Sequence, residues 1–272
     1  ADLAHESTMA NPLSKAKLSA YRKLQSKKIR ESEDRFLIEG WHLLEEAMVG
    51  GVPLQAVIFD ESRELEGNDL RVKNMAIGRA ETVFAASESQ IRALSDTQTS
   101  PGVIAAVGRV RSDLDGVLSA LEGKDRSFVV ALDGVGDPGN CGSIVRACDW
   151  FGADAVLLGM GCSEIENGKF VRATMGALFH LPLAKVESMP NSLKNLQESG
   201  YHIVASSLGD SESLSQFNWP SKTVLVIGNE ARGVSQRVLS LADTRLQIPK
   251  FGRGESLNAA MAASVMLGHW RV

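Results

Sequence analysis

Apolar positions between Arg35 and Val110 follow two alternating rhythms. Short runs rich in β-branched and aromatic residues predict strands: FLIEG from Phe36, LQAVIFD from Leu54, ETVFAA from Glu81 and GVIAAVGRV from Gly102. Between them, WHLLEEAMVGG, DLRVKNMA and SESQIRALSD space their apolar residues three and four apart and predict helices. The pattern opens as a βαβ unit and defines a small α/β domain over residues 12–110. Residues 111–125, RSDLDGVLSALEGKD, are polar at both ends around one amphipathic stretch, LDGVLSAL, and predict a helical linker.

The second half, residues 126–272, repeats the alternation with more apolar strands. SFVVALD, ending at Asp133, has the continuous β-branched run of a strand buried on both faces in a parallel sheet. A glycine-rich turn, the helix GSIVRACDWFG and the strand AVLLG follow. Then come a helix over KFVRATMGALF, the strand LPLAKV, the helix SLKNLQESG and the strands YHIVASS and KTVLVIG. A short helix VSQRVLSLA, the strand TRLQIP and a last helix SLNAAMAASVMLGHW complete the domain, and the whole predicts a parallel α/β sheet. The last helix carries Ala259, Ala260, Ala262, Ala263, Ser264 and Gly268, small residues that let neighbouring backbone approach, so it is expected to be buried.

The length of 272 residues suits two domains, and 44% hydrophobic with 23% charged residues is ordinary for a folded globular chain. No apolar stretch approaches the roughly 18 residues that a membrane span needs, and the opening residues hold no apolar leader core, so a cytoplasmic protein is expected. Residues 1–8 carry no pattern and are set aside. Cys141, Cys148 and Cys162 form no CxxC pair, and His5, His42, His180, His202 and His269 have no metal-ligand spacing. Neither a disulfide framework nor a bound metal is expected. The net charge of -4 excludes a protein that coats nucleic acid by charge alone. Lys15, Lys17, Arg22, Lys23, Lys27, Lys28 and Arg30 nevertheless lie within twenty residues that contain no acid, a local field suited either to phosphates or simply to a solvated helix.

The turn after SFVVALD, Gly134-Val135-Gly136-Asp137-Pro138-Gly139, satisfies G-x-G-x-x-G between a strand and a helix. A dinucleotide site also needs an acid at the end of the second strand to bind ribose. Here Met160, Gly161, Cys162 and Ser163 follow AVLLG, and Asp154 stands at the wrong end of that strand, which disfavours a nicotinamide cofactor.

Three separated segments make a more specific pattern: DGVGDPGNCGSIVRACDWFGADAVLL, VLVIGNEARGVS and LQIPKFGRGESLNAAMAAS. In this order and spacing they resemble the motifs of the SpoU (TrmH) RNA 2'-O-ribose methyltransferases of the SPOUT superfamily. VRATMGALFHLP resembles the segment that connects them, so the likeness covers residues 126–270. The resemblance implies a parallel-sheet catalytic domain whose C-terminal part forms a trefoil knot, an exception to the rule that chains avoid knots. It implies S-adenosylmethionine as methyl donor, RNA as substrate, with ribosomal RNA ahead of transfer RNA, and a homodimer with the last helix near the interface. A fold that binds RNA without transferring a methyl group is the alternative of another class.

Residue by residue, the resemblance assigns Gly228, Ile248 and Leu257 to the donor pocket, with Gly228 leaving room for a ligand and Pro249 bending the chain after Ile248. It assigns Asn140, Arg146, Glu230, Ser256 and Asn258 to catalysis. Arg146 matches the motif-one arginine and is expected as a buried guanidinium that clamps a phosphate, or else as a partner of Asp149. Ser256 is also placed to N-cap the last helix with Asn258 in its first turn, and Glu230 to brace the loop before VSQRV. The first domain has the order of the family's substrate-binding domain, with SDTQTSPGVIAAV as a further match, and this favours RNA contact for the basic segment from Lys15 to Arg30.

Overall fold

A computed structural model describes residues 10–110 and 112–272, which form two compact units divided after Val110. The tail set aside above and Arg111 of the linker lie outside the described residues.

The first unit runs β1 (Asn11–Pro12), α1 (Lys15–Arg22), α2 (Lys27–Glu33), β2 (Arg35–Glu39), α3 (Trp41–Val49), β3 (Leu54–Asp60), α4 (Gly67–Ile77), β4 (Thr82–Ala86), α5 (Glu88–Leu94) and β5 (Val103–Gly108). Its sheet order is β1-β4-β3-β5-β2. The βαβ reading of β2-α3-β3 is half right. The two strands run parallel, but β5 lies between them and is antiparallel to both. Local apolar rhythm does not record this insertion, because an antiparallel neighbour needs the same alternation as a parallel one. Along β3, Ala56 and Ile58 face a core of Leu13, Tyr21, Leu24, Phe84 and Ile91.

The second unit begins with α6 (Leu114–Leu121), the helix expected in the 111–125 linker. Its Val117 and Leu121 are buried against the sheet that follows, with Asp113 Oδ1 capping its first turn through the Gly116 N–H at 2.7 Å. The stretch is therefore packed onto the second unit along most of its length. There follow β6 (Ser127–Asp133), α7 (Pro138–Phe151), β7 (Ala155–Leu158), α8 (Gly168–Thr174), β8 (Leu183–Lys185), α9 (Met189–Glu198) and β9 (His202–Ser206). The chain ends with β10 (Glu212–Ser213), β11 (Lys222–Gly228), α10 (Gln236–Leu239), β12 (Thr244–Gln247) and α11 (Ala259–Arg271).

These strands form one sheet, β10-β12-β9-β11-β6-β7-β8, with every neighbouring pair parallel. The continuous apolar strands now have their cause, since both faces are covered. Val129, Ala131, Val224 and Val226 meet Leu193 and Leu196 of α9 and Val238 of α10. On the opposite face Phe128 stacks on Trp270 of α11 at 4.0 Å between ring centroids, and α11 packs against α7. From β6 the strand order proceeds outward in one direction through β7 and β8, then returns to the other side of β6 through β9 and β11. Crevices at such reversals, beyond the carboxyl ends of the strands, are where open α/β sheets bind ligands.

Two helices differ from expectation. The helix read over KFVRATMGALF breaks after Thr174, where Met175 (φ 50°) and Gly176 (φ 91°) adopt left-handed backbone before a 3₁₀ turn, Ala177–Phe179. Helix α7 begins four residues before the expected start at Gly142, because Asp137 N-caps it and Pro138 fits its first turn. The last helix is also less buried than its small residues suggest. Ala263, Met266 and Leu267 are buried, but Met261 is 63% exposed and Val265 45%.

Candidate active site

Four chain segments converge beyond the carboxyl ends of the central strands. Ser206–Leu208 after β9, Gly228–Val234 after β11 and the loop from Ile248 to Leu257 after β12 line a cleft of about 730 Å³, within the roughly 300–1,000 Å³ of small-molecule sites. Gly228, Ile248 and Leu257, the three expected donor-pocket residues, all lie in its wall, with Glu230 and Ser256. Ala259, Ala262 and Met266 of α11 close one side with apolar surface. The fourth segment, the turn from Gly134 into α7, carries Asn140.

The polar residues form a chain of hydrogen bonds. Asn258 Nδ2 donates to Asn140 Oδ1 at 2.9 Å, and Asn140 Nδ2 donates to Glu230 Oε1 at 3.1 Å. Residues distant in sequence, one from each motif, thus meet at one point. Each is anchored by its own local structure. Asn140 is in the first turn of α7, its N–H donating to Asp137 Oδ1 at 2.8 Å, while Lys169 Nζ donates to Asp137 Oδ2 at 2.9 Å. The Lys169 hydrogen bond first, then the Asn140 N–H, hold the Asp137 carboxyl below the usual carboxylate range.

Asn258, not Ser256, is the N-cap of α11. Its Oδ1 accepts from Ala260 N at 2.8 Å and Met261 N at 3.3 Å. Its cap role and its bond to Asn140 use different ends of one amide, which is why an Asn serves where a Ser could satisfy the cap alone. Ser256 is exposed on the cleft loop. Glu230 braces the site through Asn140, not through α10.

Gly228 has a different reason from the one expected. A Cβ there would lie 2.1 Å from Val234 N and 2.2 Å from the Gly233 carbonyl carbon. The missing side chain lets the 229–233 loop close on itself, where Asn229 and Gly233 exchange backbone hydrogen bonds at 3.1 and 2.9 Å. The room that Gly228 leaves is occupied by its own loop, and the loop then shapes the cleft. Gly142 plays a packing part, since a Cβ would meet Phe170 O at 2.5 Å and Ala173 Cβ at 2.6 Å, so it seats α7 on α8.

Arg146 lies two turns into α7 and is exposed, not buried. Neither an ion pair with Asp149 nor any other hydrogen bond engages it among the described residues. Trp150, one turn further along the same face of the helix, is 83% exposed.

In the first unit Lys15, Lys17, Arg22, Lys23, Lys27 and Lys28 are exposed on α1, α2 and the turn between them. Arg30 departs from this set. It is buried, and its Nη1 donates to Leu24 O at 3.1 Å and Gln25 O at 2.9 Å, so it fastens that turn.

The turn from Gly134 to Gly139 lacks the features of a dinucleotide site. Asp154 accepts from Phe128 N at 2.8 Å and pairs with Lys124 at 2.6 Å, at the amino end of the sheet, opposite the cleft. Cys141, Cys148 and Cys162 are free thiols. Among the described residues no three His, Cys, Asp or Glu side chains gather as a metal site, and no helix is long and apolar enough to cross a membrane. Asn229, inside the VLVIGNEARG segment, has no role in the sequence reading, yet both ends of its amide are engaged.

Comparison with known proteins identifies the family. The SpoU rRNA Methylase family model matches residues 127–268, and an MRM3-like substrate binding domain model matches residues 15–105. The chain is 31% identical, over 94% of its length and 96% of the relative's, to the 23S rRNA (guanosine(2553)-2'-O)-methyltransferase RlmP of Bacillus subtilis. It therefore belongs to the SpoU rRNA methylase family. Among solved structures it is similar to the SpoU methyltransferase AviRb from Streptomyces viridochromogenes in complex with AdoMet, with a TM-score of 0.83, 26% identity and coverage of 94% of this chain and 97% of that one. An AdoMet-bound rRNA methyltransferase from Sinorhizobium meliloti matches with a TM-score of 0.83, 26% identity and 96% coverage of both chains.

Proposed function

We propose that this protein transfers a methyl group from S-adenosylmethionine to a ribose 2'-hydroxyl of ribosomal RNA. The observation that carries the reading is the Asn258–Asn140–Glu230 hydrogen-bond chain at the edge of the cleft that holds Gly228, Ile248 and Leu257.

The cleft fits the donor on its own chemistry. Ile248, Leu257, Ala262 and Met266 offer apolar surface for an adenosine, while Ser206, Ser207, Glu230 and Ser256 in the same wall offer polar groups for its edges. Bound there, the donor supplies a methyl group already activated on a sulfonium. The RNA hydroxyl is the weak partner, and the protein acts on it. A guanidinium carries donors and no acceptor, so Arg146 acts by gripping a phosphate bidentately and stabilising negative charge on the attacking oxygen. Its lack of an internal partner leaves all of its donors available for that task. Asn140, Glu230 and Asn258 hold the adjoining loops in place, and Ser256, on the cleft loop, is assigned to donor or substrate contact.

We read the path from β12 through the cleft loop to α11, which packs back on α7, as the family's knotted segment. The first unit, residues 12–110, is assigned to RNA binding, through Lys15, Lys17, Arg22, Lys23, Lys27 and Lys28, and this is supported by the MRM3-like match. A homodimer is the assembly that best covers Trp150, Met261 and Val265, exposed apolar side chains on the two packed helices α7 and α11. Ribosomal RNA as substrate supports a cytoplasmic location.

The test offers methyl-labelled S-adenosylmethionine with unmodified 23S rRNA, 16S rRNA and transfer RNA as competing acceptors. Label in ribosomal RNA is expected. Label confined to transfer RNA would change the substrate, and a bound donor with no label in any RNA would favour the RNA-binding factor without transfer.

A further inference from the structure

Asn229 occupies the junction between the two loops on which the site depends. Its Nδ2 donates to Gly134 O at 2.8 Å, across 95 residues of chain and in a partly buried setting. Its Oδ1 accepts from Ala231 N at 3.0 Å and from Arg232 N at 3.1 Å. One end of the amide therefore fixes the shape of the 229–233 loop, and the other ties that loop to the turn leading into α7. Two bonds accepted by the oxygen and one donated by the nitrogen are made at once, which an amide side chain supplies from its two ends.

The neighbours give this tie its meaning. Gly134 (φ 75°) starts the turn that runs through the Asp137 cap to Asn140, and Glu230 is the residue after Asn229. The link between the loops that touches the catalytic set directly is Glu230 to Asn140 at 3.1 Å, between exposed side chains. A hydrogen bond open to water contributes only about 0.5–1.5 kcal/mol net and competes with solvent. The Asn229–Gly134 bond is better shielded and joins side chain to backbone, so it restrains the main chain on which Asn140 and Glu230 depend.

We infer that Asn229 is a positioning residue for methyl transfer: by tying the Gly134 carbonyl to the 229–233 loop it holds Asn140 and Glu230 in register. This rests on the proposed catalytic role of that pair. Asn229 lies in the cleft wall, but both ends of its amide are engaged by protein, so it acts through its neighbours.

The substitution Asn229→Asp separates the two ends of the amide. The aspartate keeps acceptors for Ala231 N and Arg232 N but loses the donor to Gly134 O. The full-length protein is followed in three ways: donor affinity by calorimetry, single-turnover transfer to ribosomal RNA, and amide hydrogen exchange over 134–140. Asn229→Asp is expected to bind S-adenosylmethionine within about three-fold of wild type and to slow transfer about ten-fold, the worth of one lost hydrogen bond. It also raises exchange at 134–140. In an Asn140→Ala background the same change is expected to have little further effect on the rate, because it acts through Asn140.

Equal slowing in both backgrounds overturns the inference, as does unchanged exchange at 134–140. Parallel loss of donor binding and rate would make Asn229 a part of the donor pocket and overturns it too. Failure of the wild-type protein to transfer would instead refute the proposed function, and the exchange measurement would still decide the tie.

Discussion

Asn258 and Asn140, 118 residues apart in the chain, are joined by a 2.9 Å hydrogen bond from Nδ2 to Oδ1. Each also belongs to a helix start, Asn258 as the cap of α11 and Asn140 in the first turn of α7. The bond therefore fixes two helix N-termini against one another, with Glu230 as the third member. The proposed catalytic placement and fold closure share the same atoms, which sets what substitutions should do.

Asn140→Ala and Asn258→Ala are each expected to lower the rate of transfer by about ten- to a hundred-fold while changing donor affinity much less. The two losses should not add, since both remove one shared bond. Single-turnover rates of the two variants and their double mutant check this, and additive losses would separate the residues.

Arg146→Ala should abolish detectable transfer yet leave thermal stability within about 0.5 kcal/mol of wild type, because the side chain is exposed and no internal hydrogen bond or ion pair is lost. Calorimetry with the donor is expected to match wild type. Retained turnover would remove Arg146 from the mechanism.

Gly228→Ala forces a methyl group onto Gly233 and Val234 backbone. Opening the 229–233 loop to admit it should cost about 1–3 kcal/mol and weaken donor binding, since that loop is cleft wall. Denaturant titration with and without the donor reads both effects. A variant of wild-type stability with only donor binding lost would return Gly228 to the role first expected from sequence.

Replacing Lys23, Lys27 and Lys28 with glutamine should weaken RNA binding and reduce the slope of log affinity against log salt by about two to three, at roughly 0.7–0.9 per lost phosphate contact. Donor affinity should not change. Arg30→Ala should instead lower stability, because its carbonyl partners in the turn at Leu24 and Gln25 are left without it.

Asp137 gives a pH dependence whose sign is fixed. Its carboxyl titrates below the usual range, chiefly through the Lys169 hydrogen bond, so its stabilisation is present above the ordinary carboxylate pKa and is lost as pH falls through the lowered one. Asp137→Asn keeps an N-cap but removes the charge. Its melting temperature should fall about 1–3 °C below wild type at pH 7, as suits a solvent-exposed pair, and the gap should narrow as pH falls below the ordinary carboxylate pKa. A gap that does not narrow with falling pH would show that the charge is not its cause.

Much of this was legible in the chain. SFVVALD and KTVLVIG read as buried parallel strands because a sheet covered on both faces needs apolar residues at successive positions, and they pair in register from Ser127 with Lys222 to Asp133 with Gly228. The motif residues Gly228, Glu230, Ile248, Ser256 and Leu257 fall on the loops that line the cleft, as polar residues and glycines at strand ends suggested. What the chain did not reveal is set by contacts distant in sequence. The place of β5 between β2 and β3, the Arg30 side chain turned inward and the clash that a Cβ at Gly228 would make all depend on which segments meet. Asn258 in place of Ser256 as the cap is a shift of two residues, the scale on which helix starts are hardest to read.

The most direct test of the account is the chemical identity of the product. RNA methylated by the wild-type protein with methyl-labelled S-adenosylmethionine is digested to nucleosides and resolved by chromatography. The label is predicted in a single 2'-O-methylnucleoside from ribosomal RNA and absent from the Arg146→Ala reaction. Label on a base, or equal label with Arg146→Ala, would contradict it.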